Sequence, residues 1–410
     1  MNYIKKLIVK NFFSIKNQVS IDFEASKYTI ENHPYRVFEE QGNFINKLRV
    51  FYGANASGKT SLLRALVYIS YIASNKSDKL VRGFKNIYNA PSEQSFIEIE
   101  FYFKNINYSY RIEFSLIKDE IVGISNEVLK NISENQILIN RKKNIFNTLS
   151  SEAITGILFE KVPKTKSLLV ESLTRTEDYE ELVEFFQNIV MLTNIRGNHS
   201  LGMHFDDFQD KIIVAEAFLE EERNNKPIFK KAIDSEDKKE FKEFIFPFLQ
   251  SIGLDIDNAS SKIKIEKSTS ESKLNFTTTH AIDTKKELDF NLESNGTKML
   301  FKILFDIFYA YKKRAILVVD ELDSILHPMI VPAINLLAIE NNVQLIYTTH
   351  NTSNMKYLYS DEIQIIEKDK NHETIIKDAK NYNGYENFMK LYENNQLGGL
   401  PNISNLNFKI

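Results

Sequence analysis

The spacing of apolar and polar positions changes several times along this chain, and each change marks an element. Near the start, Leu7 to Val9 and Val19 to Phe23 read as strands, the second through the alternation of Val19, Ile21 and Phe23. Residues 25–46 are polar and irregular. Leu48 to Tyr52 is a short β-branched and aromatic run, a buried strand, and Ser61 to Ser70 then places Leu62, Ala65, Leu66 and Ile69 at helical spacing. Alternation returns in Ser95 to Phe103 and Tyr108 to Phe114, which the link Lys104 to Asn107 makes an antiparallel hairpin within a β-rich block over 95–129. From about 130 to 255 the pattern is helical. Glu177 to Met191 carries Tyr179, Leu182, Val183, Phe186 and Val190 on one face, and Phe205 to Glu222 and Pro227 to Gln250 are also periodic, the latter broken by Pro247. Residues 261–290 return to strand, with Ile263 and Ile265 alternating. A periodic helix from Leu300 to Tyr311 is followed by two apolar strands, Ala315 to Asp320 and Val343 to Thr348.

Fully apolar strands of this kind belong to parallel sheets covered on both faces. The pattern predicts an α/β protein, a mixed sheet with flanking helices and a largely helical insertion. Three segments follow: an N-terminal lobe over 1–129, the insertion over 130–260, and a C-terminal lobe over 261–410. Hydrophobic content of 43% and aromatic content of 12% supply a packed core, and only 13 Gly and 8 Pro argue against long unstructured linkers. A net charge of −3 gives no global basic field, so nucleic acid would need a local patch; Asn140 to Asn144, with its Arg and two Lys, is a short candidate that also reads as a solvated loop. The absence of cysteine excludes disulfides and thiolate metal sites. No signal-peptide core and no apolar run of about 18 residues is present, so a cytoplasmic protein without a membrane span is expected.

Between the first buried strand and its helix lies Gly53-Ala-Asn-Ala-Ser-Gly-Lys-Thr60, which satisfies G-x-x-x-x-G-K-[ST]. A loop in this setting points backbone N–H groups and a helix N-terminus at one spot, which suits a phosphate. Gly53, Asn55, Ala56, Ser57, Gly58, Lys59, Thr60 and Ser61 are therefore candidate nucleotide-binding residues, with Lys59 on the terminal phosphates and Thr60 on Mg²⁺. The fold is thus a P-loop NTPase.

The strand at 315 ends in Asp320-Glu321, at the carboxyl edge where such sheets bind ligands. Beside a P-loop, Asp320 would hold the metal with Thr60, and Glu321 would activate water. The next strand ends in Thr-Thr-His350, whose imidazole can read a γ-phosphate. Ser294, Gly296 and Thr297 stand at the start of the 300–311 helix, locally no more than an N-cap. Gln94 is a candidate metal contact that also reads as an exposed loop residue. His199 and His204, five apart, miss the one-face spacing of a helical metal pair.

In that order, the P-loop, Glu-Ser-Asn-Gly-Thr297, apolar-Asp-Glu321 and Thr-Thr-His350 resemble the ABC-type ATPase head of SMC-like and OLD-like proteins. Ile4 to Phe23, with Asn11, Phe12 and Ser14, resembles that head's first strands. The resemblance implies Mg·ATP hydrolysis at a head-to-head homodimer, with Ser294, Gly296 and Thr297 acting in trans on the partner's nucleotide. His327-Pro328 stands where transporter-type members carry a D-loop aspartate, a departure from the pattern. The P-loop and signature lie 294 − 59 = 235 positions apart with no long coiled coil between, unlike extended repair ATPases. Only 410 − 350 = 60 residues follow His350, and they lack the clustered acids of a Toprim domain, so no in-chain nuclease is expected. Ser360 to Lys370 and Leu391 to Ile403 resemble the ends of RloA, AbiL and PARIS-type abortive-infection ATPases. That resemblance implies anti-phage defence with a separately encoded effector, a Toprim-like or nuclease-like protein, and a DNA or phage trigger. The alternatives to it are a RecF-like DNA-repair ATPase and an ATP-locked scaffold.

Overall fold

The computed structural model describes residues 2–74, 83–90, 92–150, 152, 161–174, 176–193, 235–254, 256–265, 272–280, 286–289, 294–324, 326–371, 373–382 and 388–400. In chain order the first elements are β1 (Tyr3–Lys10), β2 (Val19–Asp22), α1 (Lys27–Asn32), β3 (Val37–Glu40), β4 (Asn43–Asn46), β5 (Leu48–Tyr52) and α2 (Lys59–Ser74). Next come β6 (Gly83–Phe84), β7 (Phe96–Phe103), β8 (Ile106–Ile117), β9 (Glu120–Asn131), β10 (Gln136–Asn140) and β11 (Ile145–Phe146). Then follow α3 (Leu168–Ser172), α4 (Glu180–Gln187), β12 (Ile189–Thr193), α5 (Ser235–Ser251), β13 (Ile256–Ile265), β14 (Ser272–His280) and β15 (Lys286–Asp289). The last are α6 (Asn295–Lys313), β16 (Ile316–Asp320), α7 (Ile330–Glu340), β17 (Gln344–Thr348), β18 (Ile363–Lys368), β19 (Thr374–Asp378) and α8 (Phe388–Glu393). The chain forms two units, one of Met1–Gly202, Lys313–Ser324 and Val331–Ile410, the other of Met203–Lys312 with Ile325–Ile330.

The first unit holds two large sheets and the small antiparallel pair of β3 and β4. One has the order β12-β16-β17-β5-β18-β19, parallel except for the final antiparallel pair. Its strands β5, β16 and β17 are buried at every position, as sheets covered on both faces require. The other sheet, β11-β10-β9-β8-β7-β1-β2 with β6 on β9, is antiparallel throughout. Helix α2 touches β1 and β7 of this sheet and β12, β16 and β17 of the other. That position explains why Leu62, Leu63, Leu66, Tyr68, Ile69 and Ile72 are all buried, although they encircle the helix. Each such side chain contributes about 1.5–3 kcal/mol relative to exposure. The sheets are also joined by Gln344, whose amide accepts from Ile4 N (2.8 Å) and donates to Ile4 O (2.9 Å).

In the second unit β13, β14 and β15 form an antiparallel sheet. Helix α5 packs on α6 through Phe241 against Phe305 and Phe308, with centroids 5.5 and 5.3 Å apart. Lys312 pairs with Glu240 at 2.6 Å.

Several expectations are corrected. The helix expected to Met191 ends at Gln187, and Ile189–Thr193 is a parallel strand on β16. A short apolar run fits either state, and pairing with an apolar neighbour decides it. The helical stretch expected from 130 is still β-sheet through β10 and β11, where the turn before Gln136 uses Asn135 at φ 55°. Residues 25–46 are ordered, not irregular. Ser26 caps α1 by accepting from Thr29 N (3.2 Å), and Asp361 takes Ser26 N (2.6 Å) and Thr29 Oγ1 (2.8 Å). The helix over 227–250 is described only from Ser235, where it runs through Pro247, and the one expected over 205–222, with His199 and His204, lies outside the described residues. The hairpin at 104 is present, its turn made by Lys104 and Asn105 at φ 48° and 67°.

Candidate nucleotide site

The loop from Gly53 to Gly58 leaves a fully buried strand and enters a fully packed helix, so its ends are fixed. Its geometry demands small residues. Gly53 lies at φ 153°, and a Cβ there would meet Ile366 O at 2.0 Å; Gly58 lies at φ 116°, and a Cβ there would meet Thr374 Oγ1 at 2.8 Å. Ala56 is left-handed at φ 61°. This strained turn opens onto a cavity of about 220 Å³, lined by Ser14, Asn55, Ala56, Ser57, Gly58, Lys59, Thr60, Ser61, Asp320, Glu321, His350 and Lys368. The loop, the two acids and the histidine meet there because β5, β17 and β16 are adjacent parallel strands whose carboxyl ends align.

Lys59 is buried, and its Nζ donates to Gly53 O (2.8 Å) and Ala54 O (2.9 Å). An ammonium has three protons, so one remains for an anion. Burial pushes this amine down to about 8, against the pull of Asp320, Glu321 and Asp323. Thr60 Oγ1 lies 3.2 and 3.0 Å from the two oxygens of Asp320. Asp320 also accepts from Thr348 Oγ1 at 2.6 Å, and that hydroxyl accepts from Glu321 N at 2.7 Å. Glu321 itself is exposed and left-handed at φ 54°, a conformation that turns it out of the strand. His350 is lowered from its ordinary value by partial burial and then by the Lys59 ammonium, so its ring is neutral at pH 7.

A hydroxyl beside a carboxylate is the hard-oxygen donor set that Mg²⁺ takes, and Thr60 and Asp320 fit it. Ser57 Oγ is buried without a partner among the described residues, as expected of a loop whose natural occupant carries acceptor oxygens. Gln94 is not in this cavity; it is exposed and hydrogen-bonded to Glu113. Ser294 Oγ accepts from Thr297 N at 3.0 Å, an N-cap on α6, with Thr297 Oγ1 2.9 Å away. Gly296 lies in the first turn of that helix.

The family model described as "AAA domain, putative AbiEii toxin, Type IV TA system" matches residues 48–355. The chain belongs to that family. It is an ATPase of the AAA type. No curated protein matches it. Among solved structures it is similar to the SMC head domain from Thermotoga maritima, at 14% identity and TM-score 0.45, over 92% of this chain and 98% of that one. It is also similar to the SmcHead bound to the C-winged helix domain of ScpA, at 14% identity and TM-score 0.46, over 93% and 99%. A third is the Smc head domain with an extended coiled coil bound to the C-terminal domain of ScpA derived from Pyrococcus furiosus, at 14% and 0.42, over 97% and 100%. No helix among the described residues is long and apolar enough to cross a membrane.

Sequence reasoning did not assign Thr348, Ser14 or Lys368 to the site. Thr348 ends the strand that pairs with the Asp320 strand, one residue past the Val319–Tyr347 pair, and its hydroxyl meets Asp320 there. Ser14, 2.7 Å from Ser61 Oγ, and Lys368 are brought in by tertiary structure alone.

Proposed function

We propose that this AAA-type protein binds and hydrolyses Mg·ATP at a homodimer interface and uses that cycle to control a separately encoded effector, a nuclease-like protein, in anti-phage defence. The observation that carries the reading is the convergence of Lys59, Thr60, Asp320, Glu321 and His350 on one cavity. Lys59 neutralises β- and γ-phosphate charge. Loop N–H groups from Asn55 to Ser61 cradle the phosphates, and Thr60 with Asp320 would hold Mg²⁺, which when bound neutralises the same oxygens. Glu321 accepts a proton from the attacking water. Neutral His350 donates to the γ-phosphate. Thr348 keeps Asp320 turned toward Thr60. In this reading the ATPase head extends past residue 129 to include β10, β11 and β12, and Ser294, Gly296 and Thr297 close the partner's site. The family's toxin description supports the defence role over DNA repair.

Phosphate release from Mg·ATP by the purified chain, lost in Lys59→Ala, tests hydrolysis. For the composite site the variants to mix are Lys59→Ala and Ser294→Asp. Aspartate still caps α6 but repels phosphate, so activity should return on mixing two inactive parents. No recovery would remove the trans role.

A further inference from the structure

The antiparallel hairpin of β18 and β19 is fastened to the P-loop. Thr374 Oγ1 donates to Ser57 O (3.2 Å) and Ser14 O (3.3 Å) and packs on Gly58. Its neighbour Glu373 takes Lys16 Nζ (2.9 Å) and Asn17 Nδ2 (2.6 Å) from the loop after β1. Between the strands Asp369 Oδ1 accepts from Asn371 N (2.9 Å) and Glu373 N (2.8 Å). Lys368 is the residue directly across the ladder from Thr374. The hairpin thus presents one exposed lysine at the cavity wall, next to the turn that holds the loop.

The carboxylates around Lys368 are already engaged: Glu367 by Lys377 (2.7 Å) and Gly399 N (3.0 Å), Asp369 by the turn, Glu373 by Lys16. Among the described residues no ion pair is made by Lys368, so its charge is open to a ligand. Thr60 and Asp320 mark the end of the cavity where metal and terminal phosphates belong. Ser14, bonded to Ser61, also lines the cavity, and Thr374, the residue paired with Lys368, is bonded to Ser14 O.

We propose that Lys368 is a second nucleotide-binding lysine, pairing with the phosphate nearest the nucleoside while Lys59 serves the terminal ones. The C-terminal hairpin is then part of the ATP site and not only its scaffold. This rests on the ATP reading above.

The test is the affinity of the full chain for Mg·ATP and Mg·ADP by titration calorimetry, with Lys368→Ala, Lys368→Arg and Lys59→Ala beside wild type. A charge-assisted contact at the inner phosphate predicts about a tenfold loss for both nucleotides in Lys368→Ala. Lys368→Arg should stay within about twofold of wild type, and the loss should shrink at high salt, with Tm unchanged. Wild-type affinity in Lys368→Ala while Lys59→Ala fails to bind would overturn this assignment alone. Wild-type affinity in both would overturn the cavity reading with it. A loss confined to ATP would place Lys368 on the γ-phosphate and contradict its pairing with the inner one.

Discussion

The parallel sheet buries charge at both of its ends, and the two ends are built differently. At the amino end Arg36 and Glu362 form a two-pronged pair, Nε to Oε1 at 2.7 Å and Nη2 to Oε2 at 2.8 Å. Arg36 lies over the Tyr359 ring at 4.8 Å, and Glu362 takes Tyr359 N at 2.9 Å. Burial raises the Glu362 carboxyl even against the pull of Arg36, yet its lone pairs are answered from within the chain. At the carboxyl end Lys59 has spent two protons on loop carbonyls, Ser57 Oγ has no partner among the described residues, and Ala56 and Glu321 are held left-handed. The Arg36–Glu362 pair is complete without a ligand and the phosphate loop is not. Incomplete satisfaction, together with backbone strain, separates a binding site from a structural ion pair made of the same residue types.

Breaking the complete end should cost stability and spare the site. Arg36→Ala strands a buried carboxylate and is expected to lose about 3–5 kcal/mol in urea denaturation, with nucleotide affinity unchanged while the protein is folded. Equal losses of stability and affinity would erase the distinction. The incomplete end should respond in the opposite way. Gly58→Ala forces a Cβ toward Thr374 at a left-handed position, and nucleotide affinity should fall at least tenfold, with a smaller stability change of about 1–2 kcal/mol. Thr348→Val removes the hydroxyl that orients Asp320. It should lower kcat/KM about tenfold, the worth of one hydrogen bond to a charged group, with less effect on binding measured without metal.

The smallest effect is the pH dependence of Lys59. Its amine is pushed down to about 8 in the free protein, and an anionic ligand raises it again. Binding is therefore full below about pH 8 and weakens as pH rises through that value, by no more than about tenfold per unit. Flat affinity between pH 7 and 9.5 would contradict the burial of that lysine.

How much of this was legible in sequence follows the same divide. The P-loop, Asp320-Glu321 and His350 each sit within or just after a run of apolar residues, so local pattern found them, and β5, β16 and β17 match their expected spans almost residue for residue. What pattern missed depends on partners far along the chain. Strand β12 was hidden in the tail of a helical period, and α1 owes its order to Asp361. Lys368 reaches the loop because Thr374 packs on Gly58, more than 300 positions earlier. No local period encodes such a contact.

The most direct test of the central claim is Glu321→Gln in Mg·ATP, with bound nucleotide and released phosphate followed in the same sample. An amide cannot take the proton from water, so turnover should fall at least a hundredfold while ATP remains bound with wild-type affinity. Wild-type turnover in that variant would contradict the role of Glu321 and the hydrolytic site built around it.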